Sequence, residues 1–194
     1  IQSRTPRCLW ALEEAGVAYE LVPVNFLAGD AQTPEFLAVN PNGKVPALVD
    51  GDLRLCESMA INLYIARKYA PSLMPASLAE QAQVDQWSYW GVTELEPHLT
   101  TILVQKLFVP ADQRQPAAIE QATASLERPL KVLDAHLHGQ PYLVGTQFTI
   151  ADLNVAAVLL TAKAIDFDLS GYQNVAKWLA ACHDRPALQR AMAR

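Results

Sequence analysis

Two short clusters in this 194-residue chain have residue types and spacing suited to chemistry. The first is Lys44-Val45-Pro46, inside the run VNPNGKVPALVDG. Pro46 interrupts what otherwise reads as a β-strand leading into a turn at Asp50-Gly51. Proline removes a ladder N–H donor, so strands accept it mainly at an edge, a start or a bulge. A cis Val45–Pro46 bond would turn the backbone of Val45 outward and offer its N–H and C=O to an extended ligand, and X-Pro is the peptide bond for which cis is inexpensive. The second cluster is Glu57-Ser58, where strand-like sequence gives way to helical sequence. The unsatisfied N–H groups and positive end of a helix N-terminus attract an anion, and a serine there adds a hydroxyl donor. Ser58 as a plain helix cap is the simpler reading; the neighbouring Lys44–Pro46 run favours the other. Together the clusters describe a ligand with an extended main chain for Val45 and a carboxylate for Ser58.

Other chemistries find little support. Cys8, Cys56 and Cys182 are an odd number at long spacings, which argues against a disulfide framework and for a reducing compartment. His98, His136, His138 and His183 are too scattered for a zinc site, so no metal is expected. There is neither a phosphate-cradling glycine loop nor a GxSxG nucleophile motif. A formal net charge of −5 gives no electrostatic footprint for nucleic acid. No apolar run approaches the ~20 residues that span a bilayer, so no membrane partner is expected and the cytoplasm is the default location. With 51% hydrophobic and 18% charged residues, the balance is that of an ordinary globular protein.

The elements that must position these residues fall into two groups. PRCLWALEEA places Leu9, Leu12 and Ala15 at helical spacing before Gly16, which predicts a first helix. A strand is expected over about 19–24, one helical turn over 34–37, and a hairpin from 45–49 and 53–55 around Asp50-Gly51-Asp52. ESMAINLYIARKYA then reads as a helix. This is a mixed α/β pattern over residues 1–70, and it lacks an opening strand; roughly ten residues bearing one are expected to precede Ile1. PSLMPAS, residues 71–77, reads as a linker. Residues 78–194 read as all-helical, with helices near 78–106, 117–138, 150–165 and 174–183 and a short one after Pro186. In QFTIADL, Thr149 and Asp152 form a reciprocal cap, and Phe148 can close on Leu153, so a helix is expected to start at Ile150.

NPNGKVPAL followed by ESMAI, LEEAG with YELVPVNF before them, and FTIADL in the helical part together resemble the cytosolic glutathione S-transferases, along nearly the whole chain and in order. The resemblance implies an α/β domain of thioredoxin-like fold with a cis-proline at Pro46, followed by an all-α domain. It implies glutathione as co-substrate with no bound cofactor. Val45 would pair the cysteinyl backbone, Glu57 and Ser58 would hold the γ-glutamyl end, and Lys44 would neutralise the glycyl carboxylate. Plant-like members commonly carry basic residues just before the TPEFL stretch, where this chain has Ala31 and Gln32; Gln32 donates hydrogen bonds but no charge.

The catalytic serine of serine-type members matches Ser3, four positions before Arg7 as in theta-like enzymes, whereas the later motifs are more phi-like. Ser3 is therefore either the thiolate stabiliser or a helix cap, with Arg4 and Cys8 as lesser candidates and Cys8 read as core. Between the domains, the helix bearing Trp87, Trp90 and Glu94 is expected to face an electrophile pocket, Glu94 pairing with His98; core or dimer packing is the alternative for these side chains. The family commonly forms twofold dimers, and a homodimer is expected. The activity implied is conjugation of the glutathione thiolate to small apolar electrophiles. Two alternatives stay open: a non-catalytic glutathione-binding or protein-interaction module on the same fold, and a glutathione-dependent isomerase, dehalogenase or peroxidase.

Overall fold

The computed structural model describes residues 3–194. Helix α1, Thr5–Ala15, starts with Pro6 in its first turn, where a missing N–H costs nothing, and ends at Gly16, whose φ of +64° suits glycine. It buries Cys8, Leu9, Trp10, Ala11 and Leu12. Two 3₁₀ turns, Phe26–Ala28 and Asp30–Gln32, lead to α2, Pro34–Leu37, where Thr33 Oγ1 accepts the Phe36 N–H. Strands β1, Ala47–Asp50, and β2, Leu53–Cys56, pair antiparallel with Ala47 opposite Cys56 and Asp50 opposite Leu53. The two-residue loop begins at Gly51 with φ +59°, the positive value that primed hairpin turns require at that position.

The strand expected over 19–24 does not form. Among the described residues the sheet has only β1 and β2, and Leu21 and Val22 remain 46% and 67% exposed. A β-rich composition specifies a strand only where a neighbour supplies the ladder. Here no neighbour does, and Pro23 removes a donor. The opening strand expected before Ile1 lies outside the described residues.

Helix α3, Ser58–Tyr69, follows the hairpin directly and closes the small domain. Asp50 ties the two together: its Oδ2 accepts from Tyr64 Oη at 2.7 Å, Lys68 Nζ at 2.8 Å and Tyr69 Oη. The architecture is that of a small thioredoxin-like domain followed by a helical one.

In the helical domain, the expected single helix over 78–106 is helical throughout but broken in register. Helix α4, Leu78–Trp90, runs into a π turn, Gly91–Leu95, then α5, Glu96–Leu103, and a second π turn, Val104–Phe108. Pro97 explains the first break: its ring clashes with the carbonyl four residues earlier, and the backbone relaxes into a wider turn. Helices α6, Pro116–His136, α7, Ile150–Ala164, α8, Gln173–His183, and α9, Pro186–Met192, complete the chain. Every residue of α7 from Ile150 to Ala162 is buried, which makes it the axis of the core.

The start of α7 follows the expected cap. Asp152 accepts the Thr149 N–H at 2.9 Å, and the Thr149 side chain returns a bond to the helix. The same carboxylate takes the Leu143 N–H at 2.8 Å and the Trp178 Nε1–H at 2.9 Å, so one buried acid fixes the preceding loop, the cap and α8. Phe148 and Leu153 are both buried in this core.

The domains are docked by polar as well as apolar contacts. Asn62 of α3 donates to Asn154 Oδ1 of α7 at 2.8 Å, and Asn154 donates to Ser88 Oγ of α4 at 2.9 Å, all three residues being fully buried. At the far end of α1, Glu14 receives Arg185 and Trp10 Nε1, while Glu13 receives Arg190. These bonds join α3 to α4 and α7 and the end of α1 to α9, although Asn62 Oδ1 itself has no partner among the described residues, so the chain reads as one docked unit.

Candidate active site

The hairpin and the N-termini of α1 and α3 converge on one face of the small domain, opposite α4 and α5. Between them lies a cleft of about 870 Å³. Two smaller depressions, on the outer face of α6 and against α8, gather no comparable set of converging polar groups.

Pro46 sits at the cleft, one residue before β1, and the Val45–Pro46 bond is cis. Because β1 starts only at Ala47, Val45 stands beyond the ladder. Among the described residues no hydrogen bond uses its N–H or C=O. An unpaired backbone donor and acceptor side by side at a cleft are what an extended peptide main chain can pair with. Asn40, itself buried, holds this approach in place by donating to the Lys44 carbonyl and receiving the Asn42 N–H at 3.1 Å. Lys44 is exposed, lines the cleft, and forms no ion pair among the described residues.

Glu57 and Ser58 line the same cleft. Glu57 has φ +67° and ψ +112°, a conformation that side-chain-bearing residues rarely adopt, and it sits at the N-cap of α3 without making a side-chain cap bond. Strain held at a cleft edge points to a geometry needed for function. Its carboxylate is exposed to the cleft and the Ser58 hydroxyl lines the same wall at the start of a twelve-residue helix. The two offer a carboxylate for a cationic group beside a hydroxyl and a helix N-terminus for an anionic one, which together match the two charges of an α-amino acid end.

Ser3 lines the cleft just before α1. Its Oγ accepts the Thr5 N–H at 3.2 Å and donates to Thr5 Oγ1 at 3.0 Å. Ser3 therefore caps the turn; rotating the hydroxyl pair so that Thr5 supplies the proton would leave the Ser3 O–H to donate into the cleft. Cys8 is buried and its thiol is pushed up to about 12 by that burial, partly offset by Arg7, so it packs as core and stays protonated. Burial likewise raises the Cys182 thiol.

Gln32 does not line the cleft. Its Nε2 donates to the Gly43 carbonyl at 3.2 Å, which places it behind the Lys44 end of the site. Gly43, at φ +61°, leaves no room for a Cβ against that amide.

The electrophile-side residues expected from sequence are displaced. Trp87 is buried in the helical domain, its ring 4.6 Å from His136 and 5.0 Å from Trp90. Neither tryptophan lines the cleft, nor does Glu94, which is exposed elsewhere and bonds to no described histidine. The wall is made instead by Tyr89, Val92, Glu96, Pro97 and Thr100, with Phe26 from the facing loop. Trp87 and Trp90 precede the π turn over Gly91–Leu95, and the lining at 89, 92, 96 and 100 keeps helical spacing, so the cleft face is the stripe next to the one the tryptophans mark. Sequence reasoning also missed Arg7 and Glu96. Arg7 Nη1 donates to Glu96 Oε2 at 2.9 Å and Arg4 Nε to Glu96 Oε1 at 2.6 Å, joining α1 to α5 across the cleft. The Glu96 carboxyl is held below the usual range: burial pushes it up, and Arg7 and Arg4 outweigh that.

Among the described residues no cluster of histidine, cysteine and acidic groups could hold a metal ion.

Comparison with known proteins agrees with this arrangement. The glutathione S-transferase N-terminal domain model matches residues 1–67 and the glutathione S-transferase C-terminal domain model matches residues 96–186. Glutathione S-transferase 1 of Zea mays is 39% identical over 195 residues, covering 96% of this chain and 90% of its own. A theta class glutathione S-transferase from Xanthomonas axonopodis pv. citri, solved with glutathione bound, is 34% identical with a TM-score of 0.92, covering 100% of this chain and 93% of its own. Glutathione S-transferase I from maize, solved with an atrazine glutathione conjugate, is 38% identical with a TM-score of 0.89, covering 98% and 92%. The match runs through both domains, and the chain belongs to the glutathione S-transferase family.

Proposed function

We propose that this chain is a glutathione transferase that activates the thiol of glutathione and joins it to small apolar electrophiles. The observation that carries the reading is the convergence, in one cleft, of Ser3, the unpaired backbone of Val45 and the Glu57-Ser58 helix start. Glutathione lies extended along Val45, its γ-glutamyl end at Glu57 and Ser58 and its glycyl carboxylate toward Lys44, with Gln32 supporting that end through Gly43. Its cysteinyl sulfur then falls at the Ser3 end of the cleft. A free thiol titrates near ~8.5, so only a few per cent is ionised at pH 7. Donation from Ser3, with the positive end of α1 behind it, favours the thiolate. A pKa lowered by ~2 units corresponds to ~2.7 kcal/mol and makes the thiolate the majority form. The sulfur attacks an electrophilic carbon and forms the C–S bond as the leaving group departs or an activated double bond takes the electron pair; the protein supplies ionisation, proximity and orientation. Phe26, Tyr89, Val92 and Pro97 give the electrophile an apolar, partly aromatic wall.

A twofold homodimer through the face of α3 and α4 and a cytoplasmic location complete the reading, both resting on the family. Among the described residues no helix is long and apolar enough to cross a membrane.

The test is the ultraviolet absorbance of enzyme-bound thiolate against pH, for wild type and Ser3→Ala. The expected result is a bound thiol pKa well below 8 in wild type, and raised by at least one unit in the variant. Binding of glutathione without a lowered pKa would leave a glutathione-binding module without turnover. An unchanged shift in Ser3→Ala would remove Ser3 from the mechanism while leaving the enzyme.

A further inference from the structure

We infer that Glu96 is a positioning residue for this reaction: from the helical domain it gathers Arg4 and Arg7 across the cleft and so fixes the turn that carries Ser3. The inference rests on the transferase reading above and adds to it a residue of the facing domain.

Three observations support it. Ser3 immediately precedes Arg4, and among the described residues the bonds within the turn over residues 3–7 are short-range, Ser3 with Thr5 and the Arg7 N–H on the Arg4 carbonyl at 3.1 Å, with one backbone anchor at its far end, where Asn62 Nδ2 donates to the Arg7 carbonyl at 3.3 Å. What ties the side chains of this turn to the opposite wall is the pair of contacts at 2.6 and 2.9 Å to the two oxygens of one carboxylate. The Arg7 contact is shielded, since the side chains of Arg7 and Glu96 are 6% and 12% exposed and solvent screens it weakly, whereas the Arg4 side chain is 52% exposed. Finally, Glu96 is delivered by the π turn that ends at Leu95, and the Glu96 N–H closes that turn on the Gly91 carbonyl. Insertions of this kind in helices are frequent at functional sites.

The chemistry assigns the carboxylate a mechanical role. Two guanidinium charges against one carboxylate leave one positive charge beside the sulfur, so Glu96 by field alone would oppose the thiolate. If it acts by field, removing it lowers the thiol pKa; if it acts by holding the turn, removing it lets Ser3 drift and raises the pKa. The sign of the shift separates the two.

The experiment compares wild type, Glu96→Gln and the charge-neutral double variant Arg7→Met/Glu96→Leu, each loaded with glutathione. Three quantities are read: thiolate absorbance against pH, kcat and KM for a chromogenic aryl halide, and thermal melting. For Glu96→Gln the expected thiol pKa rises by about one unit, and kcat falls about tenfold with KM for glutathione changed less than about twofold, the pattern of lost orientation rather than lost binding. The double variant, with the buried pair replaced by apolar groups, is expected to melt near wild type and to keep the raised pKa. A fall in the pKa of Glu96→Gln overturns the inference, as does a folded double variant with the wild-type pKa and kcat, since the bridge would then be packing alone. Absence of thiolate in wild type would instead defeat the transferase reading itself.

Discussion

Replacing Glu57 by glycine is expected to make the protein more stable and a worse binder at once. At φ +67° and ψ +112° a side-chain-bearing residue carries strain of ~1–3 kcal/mol, which glycine does not. Glycine gives back ~0.5–1 kcal/mol through its larger freedom in the unfolded chain. The N-cap itself loses nothing, because Glu57 makes no side-chain cap bond and glycine is accepted there. The net gain is therefore up to about 2.5 kcal/mol, which for a chain of this length raises the melting temperature by up to roughly 10 °C. Binding moves the other way. A hydrogen bond to a charged group is worth ~1.5–3 kcal/mol, so loss of the carboxylate at the γ-glutamyl end weakens glutathione by about 10–150-fold. Differential scanning calorimetry gives the first quantity and titration calorimetry the second. Glu57→Ala is the control: it removes the carboxylate and keeps the strained backbone, so it should bind as poorly as Glu57→Gly while melting no higher than wild type. A Glu57→Gly protein that melts below wild type would refute the strain argument, and one that binds glutathione normally would refute the assignment of Glu57.

Two further predictions concern the frame. Asp152→Ala leaves the buried donors of Leu143, Thr149 and Trp178 without their acceptor. Each costs ~1–3 kcal/mol, partly offset by removing a carboxylate whose burial already raises its pKa, so a loss of about 3–5 kcal/mol in urea unfolding is expected, and a loss under ~1 kcal/mol would show that the node is dispensable. Asp50 is held down to about 2 by the Lys68 ammonium first and by the Tyr69 and Tyr64 hydroxyls. Its folded pKa lies below the unfolded value of ~3.9, so its contribution is complete above about pH 4 and disappears as pH falls through 2. The stability difference between wild type and Asp50→Asn should be flat from pH 7 to 5, shrink between pH 4 and 2, and be smaller in high salt, since the Lys68 side chain of the pair is 46% exposed and that of Asp50 22%; a difference that survives unchanged at pH 2 would contradict the assignment.

What was legible in the sequence was local. A proline inside a hairpin run marked where the ladder begins, because no other residue removes a ladder donor, and the strand starts at Ala47. Thr149 and Asp152 announced the start of α7 because the cap needs those groups three residues apart. The rest depended on distant partners. Residues 19–24 have strand composition, but composition cannot supply a neighbour. The cleft-facing side of α4 and α5 was misread because Trp87 and Trp90 attracted attention by size, whereas Trp87 packs against His136 with Trp90 on its other edge and the adjacent stripe at 89, 92, 96 and 100 lines the cleft. Helical spacing shows which residues share a face, but not which of two neighbouring faces meets the other domain. Arg7 and Glu96, 89 positions apart, carry no mutual pattern at all.

The two walls of the cleft differ in what holds them, and that difference bears on how the site could change its substrate. The wall proposed to bind the peptide is made largely of backbone: the edge at Val45, the strained turn at Glu57 and a helix start at Ser58. Such groups depend on hairpin geometry and survive only with the small domain intact. The electrophile wall is made of side chains at 89, 92, 97 and 100, on helices whose opposite side reaches the core through Leu95, Leu99 and Ile102. Substituting Val92 or Thr100 alters volume and polarity where the electrophile sits and leaves the core face untouched. Glu96 is the exception on this wall, since it alone reaches back to the turn that carries Ser3. Variation in electrophile preference is therefore expected to run through the residues around Glu96 while that carboxylate stays fixed.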